Sequence, residues 1–217
     1  MTQMIHDKGG IGSKMAGGNP HPARGREKDD FYATPHAVTE ALVLEYRHRF
    51  HNAYIFEPCA GDGAMAESII KTADKCYTPV AGVYATDIAP RSEAVHQKNV
   101  FDITRDTLAA AKVSIVVTNP PFNIAPEIIQ HFGTVAGVDA PVNERYPMMF
   151  ALVLKATFWQ AARRAVLFRR WPPLVIHPLL WRPDFKSLGA PTMDIMWCVW
   201  DSVRFGAPTA YVPFRRP

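Results

Sequence analysis

The 217-residue sequence is poor in cysteine, in long apolar runs and in clustered metal ligands. Its three cysteines, Cys59, Cys76 and Cys198, lie far apart and form no CxxC pair. That argues against a zinc site and a disulfide framework and leaves reduced, mostly buried thiols. The most apolar stretches are broken by Pro, Arg or Lys before they reach eighteen residues, and nothing resembles a signal peptide. A soluble, cytoplasmic protein without membrane contact is expected. His36, His48, His51, His131 and His177 do not cluster at metal-ligand spacing, so no metal is expected. No internal repeat is found. What is abundant is hydrophobic residues, 48% of the chain, enough at this length for one domain with a sizeable core.

Residues 1–29 hold Gly9-Gly10, Gly17-Gly18 and scattered charge without apolar periodicity, and read as a flexible arm. A single domain is expected over residues 30–217. "PHAVTEALVLEYRHRF" begins with Pro35 and carries apolar residues at roughly helical spacing, the pattern of a helix with proline in its first turn. "AYIFEPCAGDGAMAESIIKTA" reads as strand, glycine-rich turn and helix, "AGVYATDIAP" as a strand ending in an acid, "SIVVTNPPF" as a buried strand and "APEIIQHFGTVA" as a helix. "MFALVLKATF" and "PLVIHPLL" are further strand or helix candidates, and "IMWCVWDS" a late strand. Strands alternating with helices predict an α/β fold with a mostly parallel sheet covered on both faces.

Two turns carry chemistry. Gly61-Asp62-Gly63-Ala64-Met65-Ala66 fits the GxGxxG/A form between a strand and a helix, and Asp87 ends the next strand, where an acid can accept from ribose hydroxyls. Glu57-Pro58 in front of the glycines is unusual, because a carboxylate there repels a pyrophosphate and suits a cationic ligand. S-adenosylmethionine, with a ribose, an ammonium and a sulfonium but no phosphate, meets those requirements better than NAD. A tight strand-to-helix turn without a ligand is the plain alternative. The second turn, Asn119-Pro120-Pro121-Phe122, leaves what reads as the C-terminal end of a buried strand, where open α/β sheets bind ligands. Its prolines make it rigid.

"FYATP" (Phe31 to Pro35), "EPCAGDG" (Glu57 to Gly63), Thr86-Asp87, Phe101-Asp102 and "NPPF" occur in the order typical of the amino-methylating DNA methyltransferases, and the sequence resembles an adenine-N6 member. "FALVLKATFWQAARRAVLFRRWPP" and "RPDF…MDIMWCVW" are similar to downstream segments of small adenine methyltransferases of phages and prophages. The resemblance covers about residues 30–201. It implies a Rossmann-like class I methyltransferase fold with an antiparallel late strand, S-adenosylmethionine as cofactor and DNA as partner. The cofactor-binding set it implies is Phe31, Tyr32, Thr34, Pro35, Glu57, Pro58, Cys59, Ala60, Gly61, Gly63, Asp87, Ile88, Asp102, Ile103 and Asn119. Phe31 would set its π face beside the sulfonium; a helix start at Thr34-Pro35 is the alternative.

The adenine amino nitrogen is a poor nucleophile, its lone pair being delocalised into the ring. The Asn119 side-chain oxygen and the Pro120 carbonyl can each accept one amino hydrogen, Pro121 stiffens the turn, and Phe122 can stack on a base flipped out of the helix. By resemblance, Phe185 in "RPDF" is a second aromatic contact. Core packing is the alternative for both phenylalanines.

From residue 151 onward ten Lys or Arg face three Asp, so the first 150 residues carry −3 of the net +4. Arg169, Arg170 and Arg182 in this basic third are candidate DNA contacts; a solvated charged face is the alternative. Only 17 residues follow Trp200, so no large target-recognition domain is expected. Sequence preference is then expected to be short or relaxed, or built by a homodimer. The rival functions are an RNA or protein-glutamine amino-methyltransferase using the same turn, a catalytically silent nucleic-acid-binding relative, and a nicotinamide-dependent oxidoreductase, for which Glu57 is badly placed.

Overall fold

The structure, a computed structural model, describes residues 33–185, 189, 191 and 193–217. The expected arm over residues 1–29 lies outside them, as do Phe31 and Tyr32. Among the described residues eight strands form one sheet: β1 (Tyr54–Glu57), β2 (Gly82–Asp87), β3 (His96–Gln97), β4 (Val113–Thr118), β5 (Met149–Lys155), β6 (Val175–Pro178), β7 (Ile195–Asp201) and β8 (Ala210–Tyr211). Their order is β3-β2-β1-β4-β5-β7-β6-β8. The pairs β3/β2, β2/β1, β1/β4 and β4/β5 are parallel, and β7 runs antiparallel between β5 and β6.

The strands expected at "YIFE", "GVYATD", "SIVVT" and "IMWCVWD" are all formed, and "MFALVLK" and "VIHP" resolve as strands rather than helices. Side chains alternate across the sheet, and in the central strands both faces are buried, which is why these strands read as continuous apolar runs. Phe150, Leu152 and Leu154 of β5, with Met196, Cys198 and Trp200 of β7, enter one core together with α5 (Ala125–Ala136). Ala151 and Val153, with Ile195, Trp197 and Val199, enter the other, beneath α1 (His36–Glu45) and α3 (Ala64–Lys75).

Trp197 and Trp200 are fully buried, each with its indole nitrogen satisfied: Trp197 Nε1 donates to the Val38 carbonyl of α1 at 2.9 Å, and Trp200 Nε1 to the Trp171 carbonyl at 2.9 Å. Truncating either to alanine is expected to cost about 3–5 kcal/mol. The helix expected from Pro35 breaks at Tyr46, where φ is −103° and ψ 20°, into α1 and a single turn, α2 (Arg47–Phe50). α4 (Arg105–Ala110) is closed by a reciprocal Thr104/Thr107 capping box, and α6 (Ala165–Arg170) is a short helix between β5 and β6.

Because β1, β2, β4 and β5 are parallel, their C-terminal ends share one edge. From β1 the chain winds outward to β2 and β3, then returns to β4 on the other side of β1. The β1/β4 crevice is therefore the point where winding reverses, the place at which open α/β sheets take ligands.

Candidate active site

Both motif turns open at that crevice. After β1, Gly61 (φ +56°) and Gly63 (φ +87°) adopt the left-handed conformation, which explains the glycines, and Gly63 is the N-cap of α3. Asp87 ties the loop down. Its Oδ2 accepts from the Gly61 N–H at 2.9 Å and its Oδ1 from the Ala89 N–H at 2.8 Å. A carboxylate offers about four acceptor positions, so these two bonds are compatible with a further hydroxyl donor. Ile88, next along, is an exposed apolar side chain.

Glu57, the last residue of β1, is 2% exposed. The Ala66 backbone N–H donates to its carboxyl, while Oε2 has no hydrogen-bond partner among the described residues. Burial, then the nearby Asp62 and Asp87 charges, hold this carboxyl well above the usual carboxylate range. A buried acid with such an oxygen at the crevice suits an ammonium, which can donate to it, or a sulfonium, which can balance its charge, and does not suit a phosphate. Pro58 and Ala60 are buried, and the Ala60 N–H pairs with the Thr86 carbonyl at 2.9 Å. The Cys59 thiol is pushed up to about 12 by burial, which leaves it inert as a nucleophile at neutral pH. Asp102 is exposed on a 3₁₀ turn (Val100–Asp102), and Ile103 behind it is buried.

At the end of β4 the chain turns through Asn119-Pro120-Pro121-Phe122. Asn119 Nδ2 donates to the Thr34 hydroxyl at 3.1 Å. That bond joins the "TP" and "NPPF" segments and turns the amide oxygen away from Thr34. Thr34 therefore does not cap α1; Pro35 stands at the N-cap position, and no side-chain cap bond forms there. Within the turn the Pro121 carbonyl accepts from the Ile124 N–H at 3.1 Å, whereas the Pro120 carbonyl accepts no hydrogen bond among the described residues. Phe122 is half-buried, and the Lys155 ammonium lies 5.1 Å from its ring centroid. Sequence reasoning missed Lys155, because one lysine closing an apolar strand is ordinary.

The basic residues divide. Because β6 is parallel to β5, the connection after it, with Arg182 and Phe185, returns to the crevice edge. Arg182 forms a two-pronged pair with Asp194, Nε to Oδ1 at 2.7 Å and Nη2 to Oδ2 at 3.2 Å, and Phe185 packs against the core beneath α1. Arg170 instead pairs with Asp139, just beyond the C-terminal end of α5, at 3.1 Å and stacks on Trp171. Arg169, on the same turn, is exposed. α5 starts at the crevice edge and runs away from it, so these two arginines stand at the far end of the sheet from Asn119. Among the described residues no cluster of three metal-ligating side chains occurs, and no helix is long and apolar enough to cross a membrane.

No protein-family model matches the sequence, and no curated protein matches it. Solved structures do. A protein assigned as the modification subunit of a type I restriction enzyme, from Vibrio vulnificus, superposes with a TM-score of 0.54 at 13% identity, over 86% of this chain and 48% of that one. A protein assigned as a class I S-adenosylmethionine-dependent methyltransferase, from Listeria monocytogenes, gives 0.52 at 12% identity, over 83% and 65%. A protein assigned as an RNA methyltransferase, from Pyrococcus horikoshii, gives 0.54 at 10% identity, over 88% and 94%. The chain thus spans about half the length of the modification subunit. With its parallel strands, reversed β7 and helices on both faces, it has the Rossmann-like class I methyltransferase fold.

Proposed function

We propose that this chain is a DNA methyltransferase that methylates the exocyclic amino group of a flipped-out adenine, with S-adenosylmethionine as methyl donor. The observation that carries the reading is the Asn119-Pro120-Pro121-Phe122 turn at the crevice, its amide oriented by Thr34. The cofactor reading rests on Glu57 and Asp87, with Gly61 and Gly63 bringing backbone close and Ile88 and Ile103 beside the proposed adenine subsite. Asp102 would accept from that adenine's amino group. S-adenosylmethionine, when bound, supplies an electrophilic methyl carbon whose C–S bond breaks with its electron pair left on sulfur. Asn119 Oδ1 and the Pro120 carbonyl accept the two amino hydrogens, so that the amino lone pair points at that carbon. The nitrogen forms the new bond with that pair and loses one proton to water. Phe122 stacks on the base and keeps water from its face.

Restriction–modification among the similar structures favours DNA, and the RNA methyltransferase among them keeps RNA adenine as the second reading. Sequence contacts would fall on the β6–β7 connection. With strands about 4.8 Å apart, β6 lies about 14 Å from β4, within reach of nucleotides flanking the target. Arg182 and Phe185 are the residues proposed there; Arg169 and Arg170 would meet only a strand that wraps to the far edge. Transfer of labelled methyl to DNA, RNA and protein in parallel, followed by nucleoside analysis, tests the reading. N6-methyladenine in DNA supports it, and label confined to RNA or protein overturns it.

A further inference from the structure

Lys155 is the last residue of β5 and stands on the crevice edge one strand away from Asn119, with Leu152 of its strand opposite Thr118. Its side chain is exposed, and no carboxylate lies within ion-pairing distance of it among the described residues. Its ammonium is 5.1 Å from the Phe122 ring centroid. Arg182 on the same edge is held by Asp194; among the described residues Lys155 has no such pair to break.

We propose that Lys155 is a substrate-binding residue that exchanges the Phe122 ring for a backbone phosphate of the target strand when the base enters. This rests on the reading of Phe122 as the platform for the flipped base. An exposed ammonium over a ring is a weak contact, weaker than stacking of a base on that ring. The entering base therefore takes the ring face and dislodges the ammonium. Every nucleotide brings phosphates on both sides of its ribose, so the dislodged cation has an anionic partner within the sweep of its four-carbon stem, and lysine binds phosphate as a mobile point charge. In the absence of nucleic acid the same ammonium covers the apolar platform. No other step of the reaction needs it.

The test is equilibrium binding of a DNA fragment that the unaltered protein methylates, titrated between about 50 and 200 mM salt, for the unaltered protein, Lys155→Gln, Lys155→Arg and Phe122→Ala. One lost phosphate contact lowers the slope of log affinity against log salt by about 0.9. The disadvantage of Lys155→Gln therefore shrinks about threefold across that range. Lys155→Arg restores the slope. Phe122→Ala weakens binding with the slope unchanged, and in turnover the Lys155→Gln loss falls on KM. Methylation with an unaltered slope in Lys155→Gln overturns this inference alone, making Lys155 a support for the ring. Failure of the unaltered protein to methylate any DNA overturns the proposed function and this inference together.

Discussion

The side-chain amide nitrogen of Asn119 donates to the hydroxyl of Thr34 at 3.1 Å, joining the segment before α1 to the turn after β4. A freely rotating amide presents its oxygen and its nitrogen to a substrate with equal ease, and only the oxygen accepts an amino hydrogen. Here the nitrogen faces the Thr34 hydroxyl and the oxygen turns away from it, the orientation that the proposed reaction needs. Thr34→Val, which removes the hydroxyl at nearly constant volume, is expected to lower kcat about tenfold to a hundredfold, beyond any loss of affinity for S-adenosylmethionine. Asn119→Ala should cost about 10²–10³ or more in kcat. Single-turnover methylation with parallel calorimetric binding separates the two effects.

If Glu57 faces the cofactor's cationic end as proposed, cofactor affinity is sensitive to pH. Burial and the Asp62 and Asp87 charges hold its proton on above the ordinary carboxylate range, whereas a cationic ligand favours the ionised form. Affinity for S-adenosylmethionine should therefore rise as pH increases through that raised value. Glu57→Gln should bind roughly tenfold more weakly and lose most of that pH dependence. The stability effect has the opposite sign. A carboxyl whose folded pKa exceeds its unfolded one contributes stability in acid and loses it as pH climbs through the folded value. Ligand-free Glu57→Gln should accordingly melt above the unaltered protein at pH 8, by calorimetry.

His177 sets an acid limit. Its Nδ1 and the Val212 carbonyl lie 2.7 Å apart, and its Nε2 is 2.7 Å from the Tyr46 hydroxyl. The Phe214 ring stacks on it with centroids 4.0 Å apart. The geometry fits a neutral ring that donates from Nδ1 and accepts at Nε2. Burial lowers its pKa to about 4, below the value of about 6.5 for an unfolded histidine. The unfolded chain binds the extra proton first, so this contribution is fully present above pH 6.5 and is lost as pH falls from 6.5 to 4. His177→Gln should start with a lower Tm at pH 7.5 and lose less of it between pH 6.5 and 4.5.

Much of this architecture is legible in the sequence. Continuous apolar runs give β4 and β7 and mark β5 as strand or helix, and the paired glycines followed by an acid one strand later give the crevice loop. The two-residue strands β3 and β8 carry no periodicity to detect, which is why they are absent from the sequence reading. The run "RRAVLFRR" reads as one basic face, yet Arg164 packs on Phe158, 4.0 Å from its ring, and Arg170 pairs with Asp139. Those contacts depend on how α6 docks, and local spacing does not encode docking. For the same reason the Thr34–Asn119 bond, between residues 85 positions apart, was invisible although both residues stood out individually.

Asp201 provides a control at the opposite edge of the sheet. It is 5% exposed, pairs with Arg49 at 2.6 Å and accepts from the Val203 N–H at 3.0 Å. It stands opposite Met149 at the start of β5, away from the crevice. Asp201→Asn is expected to cost about 2–4 kcal/mol by denaturant unfolding. Its kcat and KM at 25 °C should match the unaltered protein, which separates damage to the fold from damage to the site.

If the turn after β4 activates an adenine amino group in DNA, methyl transfer depends on Asn119. The most direct test is incubation of the unaltered protein and Asn119→Ala with S-adenosylmethionine carrying a labelled methyl group and with DNA, followed by digestion to nucleosides. N6-methyladenine formed by the unaltered protein and reduced at least about a hundredfold in Asn119→Ala is the predicted result. Label that appears in another nucleoside, or that persists undiminished in Asn119→Ala, would contradict it.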